Sequence, residues 1–162
     1  MTAIALALFL AAPIPKLASA EWLLGTWKCE DTVGDFHGTY ETTWSRALGD
    51  RWLRQVWNFP ARNGNPPQTA ELLMTYDPRR DYWVRFFAMS DGMWFAMRMT
   101  ETKNGFSWKY VSLSANRKPE TPEADAVLTR RSDSEYTLDG PTYPEGASMV
   151  TEHHVCRKQR GP

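Results

Sequence analysis

Few side chains in this sequence are placed to do chemistry, and several of those crowd into its last apolar-polar run, SMVTEHHVCRKQ. Glu152, His153, His154 and Cys156 stand close together there, and alternate residues of an extended strand point to opposite faces. The adjacent histidines cannot chelate one metal without a bulge, so no metal site is expected. Glu152 and His154 do share a face. In an apolar cavity they would form an acid–base pair with shifted pKa values, suited to an isomerase or hydrolase working on an apolar substrate. The competing reading is a hydrogen-bonded cluster that supports one end of the fold. No catalytic residue is expected on the first-ranked reading; Glu152 and His154 are the alternative. His37, beside Gly38, is expected at the surface, and Asp77-Pro78-Arg79-Arg80-Asp81 reads as a turn with a solvated tip. The sequence holds no G-x-S-x-G, H-E-x-x-H, C-x-x-C or glycine-rich phosphate loop.

The two cysteines, Cys29 and Cys156, lie near opposite ends of the chain. Their meaning depends on compartment. Residues 1–20, MTAIALALFLAAPIPKLASA, carry an apolar run from Ala3 to Ile14 and then Ala18-Ser19-Ala20, the small-x-small form that a signal peptidase cuts, although no Lys or Arg precedes the run. The run is shorter than the ~20 residues of a spanning helix and is interrupted by proline, so no membrane span is expected. Cleavage after Ala20 would leave 21–162 as one domain in the periplasm or outside the cell. An isolated cysteine pair there is expected to bond, the alternative being two separate buried thiols. With 19 basic and 19 acidic residues and no basic stripe, nucleic acid is excluded as the main partner. Eight Trp, six Tyr and seven Phe are enough to line a pocket as well as fill a core.

From Gly25 onward the chain reads as short strands punctuated by turns. In HGTYETTWSRA, Tyr40, Thr42 and Trp44 alternate with Glu41, Thr43 and Ser45. RWLRQVWNF, TAELLMTY, YWVRFFAMS, MWFAMRMTE, FSWKYVSLS, AVLTRR, EYTL and the final run follow, with Asp91-Gly92 and Asn104-Gly105 as hairpin signals. Nine or ten antiparallel strands in sequence order predict an all-β, up-and-down barrel, whose closure removes both sheet edges. First and last strands are then neighbours, and a Cys29–Cys156 bond would staple the seam.

Leu24-Gly25-Thr26-Trp27 resembles the glycine-x-tryptophan opening of the lipocalin-like (calycin) barrels. The wider pattern of LLGTWKCE, GDRWL, MTYDPRRDYWVRF, NGFSW and a terminal CRK resembles a bacterial exported family of unknown function. The resemblance implies that Gly25 and Trp27 are structural residues at the closed barrel end. It also implies a small apolar ligand inside, as most calycins carry; a minority are enzymes or haem binders. If Trp27 points inward, then Cys29, Cys156, His154 and Glu152 do too, while His153 and Val155 face out.

Two-residue turns at Asp91-Gly92 and Asn104-Gly105 would fix the register of three strands. They place Val84, Phe86, Ala88, Phe95, Met97, Met99, Trp108 and Tyr110 on one uncharged inner face. The expected ligand-binding set is Tyr40, Trp44, Val84, Phe86, Phe95, Met97, Met99, Trp108, Tyr110 and His154. No cofactor is expected, haem with His154 as axial ligand being the alternative. The same register leaves Trp83, Arg85, Phe87, Met89, Trp94, Ala96 and Arg98 outside, with Arg85 opposite Arg98. A homodimer through Trp83, Phe87 and Trp94 would cover that face, making an interaction module a further reading. Alternatively, a bulged turn shifts the register and brings arginines inward.

Overall fold

The computed structural model describes residues 15–61, 66–113, 125–142 and 150–160. Residues 1–14 of the expected signal peptide therefore lie outside the described residues. A 3-10 helix, η1 (Pro15–Leu23), leads into ten strands: β1 (Gly25–Val33), β2 (Phe36–Ala47), β3 (Trp52–Phe59), β4 (Gln68–Asp77), β5 (Tyr82–Met89), β6 (Trp94–Thr102), β7 (Gly105–Leu113), β8 (Ala126–Arg130), β9 (Glu135–Thr142) and β10 (Val150–Lys158). Each strand pairs antiparallel with its sequence neighbours, and β10 pairs with β1 to close the barrel. The alternation in β2 shows why: Tyr40, Thr42 and Trp44 are buried between exposed Thr39, Glu41 and Thr43. One face of every strand needs cover, and closure supplies it without a second layer.

One end is sealed by η1. Leu17, Ala20 and Leu23 are buried in the core, and the Trp27 Nε1–H donates to the Leu23 carbonyl at 2.7 Å. Trp27 packs edge-on against Tyr136 with ring centroids 4.7 Å apart. Lys16 is tied to Glu101 at 2.9 Å, anchoring η1 to the end of β6. At the seam Cys29 sits directly opposite Cys156, and the two form a disulfide.

The β5–β6 hairpin differs from the expectation. The Met89 N–H donates to the Met93 carbonyl at 2.8 Å and the Gly92 N–H to the Met89 carbonyl at 3.0 Å. Ser90-Asp91-Gly92 is thus a three-residue loop closed by Gly92 at φ +90°, a left-handed position that suits glycine. One added loop residue slips the register by one and turns β5 over. Trp83, Arg85 and Phe87 pair with Met99, Met97 and Phe95 and face inward, and Met89 packs against the same core. Val84, Phe86 and Ala88 face outward instead of lining the interior, and Phe86 is 45% exposed.

The expected dimer face is accordingly redrawn. Trp83 is core and Phe87 stacks on Phe95 within the barrel, whereas Trp94 remains outside and stacks on Phe86 at 5.9 Å. The like-charge pair does not form, because Val84 stands opposite Arg98 and the Arg98 guanidinium lies over the Tyr82 ring at 4.3 Å. The β6–β7 turn also sits earlier than expected, pairing Thr102 with Gly105 and Met99 with Trp108. A slip of two keeps the face, so Phe95, Met97, Met99 and Trp108 are buried inside. The Tyr110 side chain lies outside the described residues.

Candidate functional site

The residues with chemical potential gather toward the end opposite η1. β10 carries Glu152, His154 and Cys156 on its inner face, and β1 sets Asp31 directly across from His154. From the other side β2 brings Tyr40, whose hydroxyl lies 3.0 Å from His154 Nδ1. The second ring nitrogen, Nε2, lies 3.1 Å from the Glu152 carboxylate. Tyr40, His154 and Glu152 therefore form one hydrogen-bonded chain. Burial pushes the Tyr40 phenol well above its ordinary pKa, reinforced by the negative potential of Tyr136, Glu152 and Asp31. Tyr40 thus stays neutral, and in the tautomer where its hydroxyl donates to Nδ1, Nε2 carries the hydrogen that Glu152 accepts. His153 faces out, exposed, and pairs with Asp139.

A cavity of about 290 Å³ opens beside this chain, lined by Asp31, Phe36, Gly38, Thr39, Tyr40, Phe59, Pro60 and Ala61. Tyr40 and Phe59 meet at 5.2 Å between ring centroids and form its aromatic wall. Gly38 lets Phe36 and Asp31 pack closely over β2, because a Cβ there would come within 2.5 Å of the Phe36 ring and 2.7 Å of Asp31 Oδ1. The barrel interior carries Trp44, Trp57, Met97, Met99 and Trp108, all buried. An axial bond from His154 to a haem iron would have to replace one of its two hydrogen bonds, so the ring is not presented as a ready ligand. His37 is exposed and bonds Thr32 Oγ1 at 3.0 Å through Nδ1, outside the site.

Of the residues expected from sequence to hold a ligand, the structure brings Tyr40 and His154 into contact and sets Trp44, Phe95, Met97, Met99 and Trp108 inside. Val84 and Phe86 are excluded by the β5 register. Asp31, Phe36, Phe59 and Arg85 were not among them. Asp31 shares the parity of Trp27 and Cys29, so the alternation that oriented those two could have found it; Arg85 depended on the turn.

A closed ten-strand antiparallel barrel with η1 across one end is compatible with a calycin-like fold. Among solved structures it is similar to Rv2717c from M. tuberculosis, whose crystal structure superposes with a TM-score of 0.61 at 16% identity over 92% of this chain and 100% of that one. Identity that low carries the fold alone. No protein-family model and no curated protein sequence matches the chain.

Proposed function

We propose that this is an exported calycin-type protein that binds a small, largely apolar ligand within the barrel, entering at the cavity beside Tyr40. The observation that carries the reading is the cavity of about 290 Å³ lined in part by Tyr40, the residue hydrogen-bonded to buried His154. An apolar body with a few convergent polar groups is the usual form of a small-molecule site. The seam disulfide supports export, since such bonds persist in oxidising compartments.

The test is a titration with the neutral dye N-phenyl-1-naphthylamine, followed by dye emission and tryptophan quenching. Binding in the micromolar range is expected, roughly −8 kcal/mol. Ala61→Trp, which adds an indole to the lining of this cavity, should weaken it by about tenfold (~1.4 kcal/mol) while the far-ultraviolet spectrum is unchanged. Dye affinity untouched by that change would place the ligand elsewhere.

A second reading, an acid–base enzyme acting on an apolar substrate, draws on the Tyr40–His154–Glu152 chain. It requires turnover of a neutral apolar ester or isomerisable ketone that Glu152→Gln abolishes without loss of dye binding.

A further inference from the structure

Tyr40, His154 and Glu152 are joined by hydrogen bonds of 3.0 Å at Nδ1 and 3.1 Å at Nε2, around a histidine that is 8% exposed. A carboxylate only accepts, so facing Glu152 the neutral imidazole keeps its hydrogen on Nε2 and leaves Nδ1 as an acceptor. Tyr40, held neutral by its burial, gives its hydrogen to Nδ1, and its oxygen takes the indole N–H of Trp57. In this state the Tyr40 hydroxyl has no hydrogen to offer a ligand in the cavity whose wall it shares with Phe59.

A proton taken up by His154 changes one of these bonds and not the other. Nε2–H still donates to Glu152, whereas Nδ1 becomes a donor, and the Tyr40 oxygen beside it must accept. That oxygen has two acceptor sites, and His154 and Trp57 then fill both. The Tyr40 hydrogen is displaced from the chain, and a buried donor without an acceptor is costly. Among the described residues, the other titratable groups about His154 are Asp31, directly opposite on β1, and Glu152 on its own strand. β9 places Leu138 opposite His154, and Tyr136 further along β9 acts on Tyr40.

We infer that a ligand in this cavity supplies the missing acceptor, so the site takes an apolar molecule carrying a carbonyl oxygen, and takes it together with a proton on His154. Each then strengthens the binding of the other, because linkage is reciprocal. Affinity rises as pH falls through the titration of His154 and drops again as pH climbs. The inference rests on the ligand-binding reading above and adds to it the polar group of the ligand and the condition for its release.

The neutral ketone 6-propionyl-2-(dimethylamino)naphthalene offers a carbonyl, and N-phenyl-1-naphthylamine does not. Between about pH 8 and about pH 5.5, a span that crosses the ordinary histidine range, the wild-type protein is expected to gain about fivefold in affinity for the ketone and to bind the amine almost equally throughout. The bound ketone's emission should move to the red at the acid end, as its carbonyl accepts the Tyr40 hydrogen. Tyr40→Phe should flatten the ketone's pH profile. Should that variant fail to fold, calorimetry of the wild-type protein in two buffers of different ionisation enthalpy decides: ketone binding should take up protons and amine binding should not. A flat ketone profile in the wild type, an equal gain for the amine, a gain that survives Tyr40→Phe, or ketone binding without proton uptake would overturn the proton link alone. Failure of both dyes to bind at every pH would overturn the ligand-binding reading beneath it.

Discussion

Tyr40 links the cavity to the buried polar groups, because it belongs both to the cavity wall and to the hydrogen-bonded chain through His154. Tyr40→Phe keeps the ring and removes one hydroxyl, leaving His154 Nδ1 without its partner. A loss of about 1–3 kcal/mol in denaturant unfolding is expected; a neutral change would mean that the hydrogen bond carries nothing. The same burial sets an alkaline limit. Tyr40 and Tyr136 both have folded-state pKa values raised above the ordinary value near 10. Below pH ~10 both phenols are protonated whether the chain is folded or not, and the pair is neutral in its effect. Above pH ~10 the unfolded chain releases protons that the folded barrel retains, so stability falls as pH climbs toward the folded values. Phenolate absorbance should therefore show at least two of the six tyrosines ionising only as the protein unfolds. Titration of all six in the native state would contradict the burial of this pair.

The β5–β6 hairpin decides which side chains see the interior, and its three-residue loop turns one strand over relative to a two-residue turn. Trp83→Glu should abolish folding, because it sinks a carboxylate into the core. Phe86→Glu, one strand position class away on the outer face, should cost no more than about 1 kcal/mol. The opposite ranking in thermal unfolding would restore the two-residue turn. This element also marks the boundary of what the amino-acid sequence discloses. Asp-Gly satisfies a two-residue turn and equally a three-residue loop ending in a left-handed glycine, and the two differ only in whether Ser90 joins the loop. β5 offers no arbitration, since Trp83, Phe87, Val84 and Phe86 make both of its faces apolar. β2 was legible because only one of its faces is apolar, so Tyr40 and Trp44 could be oriented by parity. On β10 parity grouped Glu152, His154 and Cys156, and the resemblance that turns Trp27 inward chose their side. The approach of Tyr40 to His154 could not be read, because it depends on β1 standing between β2 and β10 and on how far their side chains reach across it.

At the scale of the whole molecule, the disulfide joins residues 127 positions apart. It therefore constrains nearly the entire unfolded chain. Loop-closure entropy gives about 5 kcal/mol for a loop of that length. Reduction, or the paired change Cys29→Ala with Cys156→Ala, should lower the unfolding free energy by a few kcal/mol; stability indifferent to reductant would show that strand pairing alone closes the seam. The other end of the barrel bears on timing. η1 runs through Ala18-Ser19-Ala20, and Leu17 and Ala20 are already inside the core. A peptidase cutting after Ala20 and the folded barrel would thus compete for the same backbone. Cutting would have to come before η1 docks, and the product would have a floor missing Leu17 and Ala20. Chains beginning at residue 15 and at residue 21 should then differ by about 2–5 kcal/mol, the usual cost of emptying a buried leucine site. That gap would make the uncut and cut forms two proteins of unequal durability, and the moment of cleavage would set how long each copy survives.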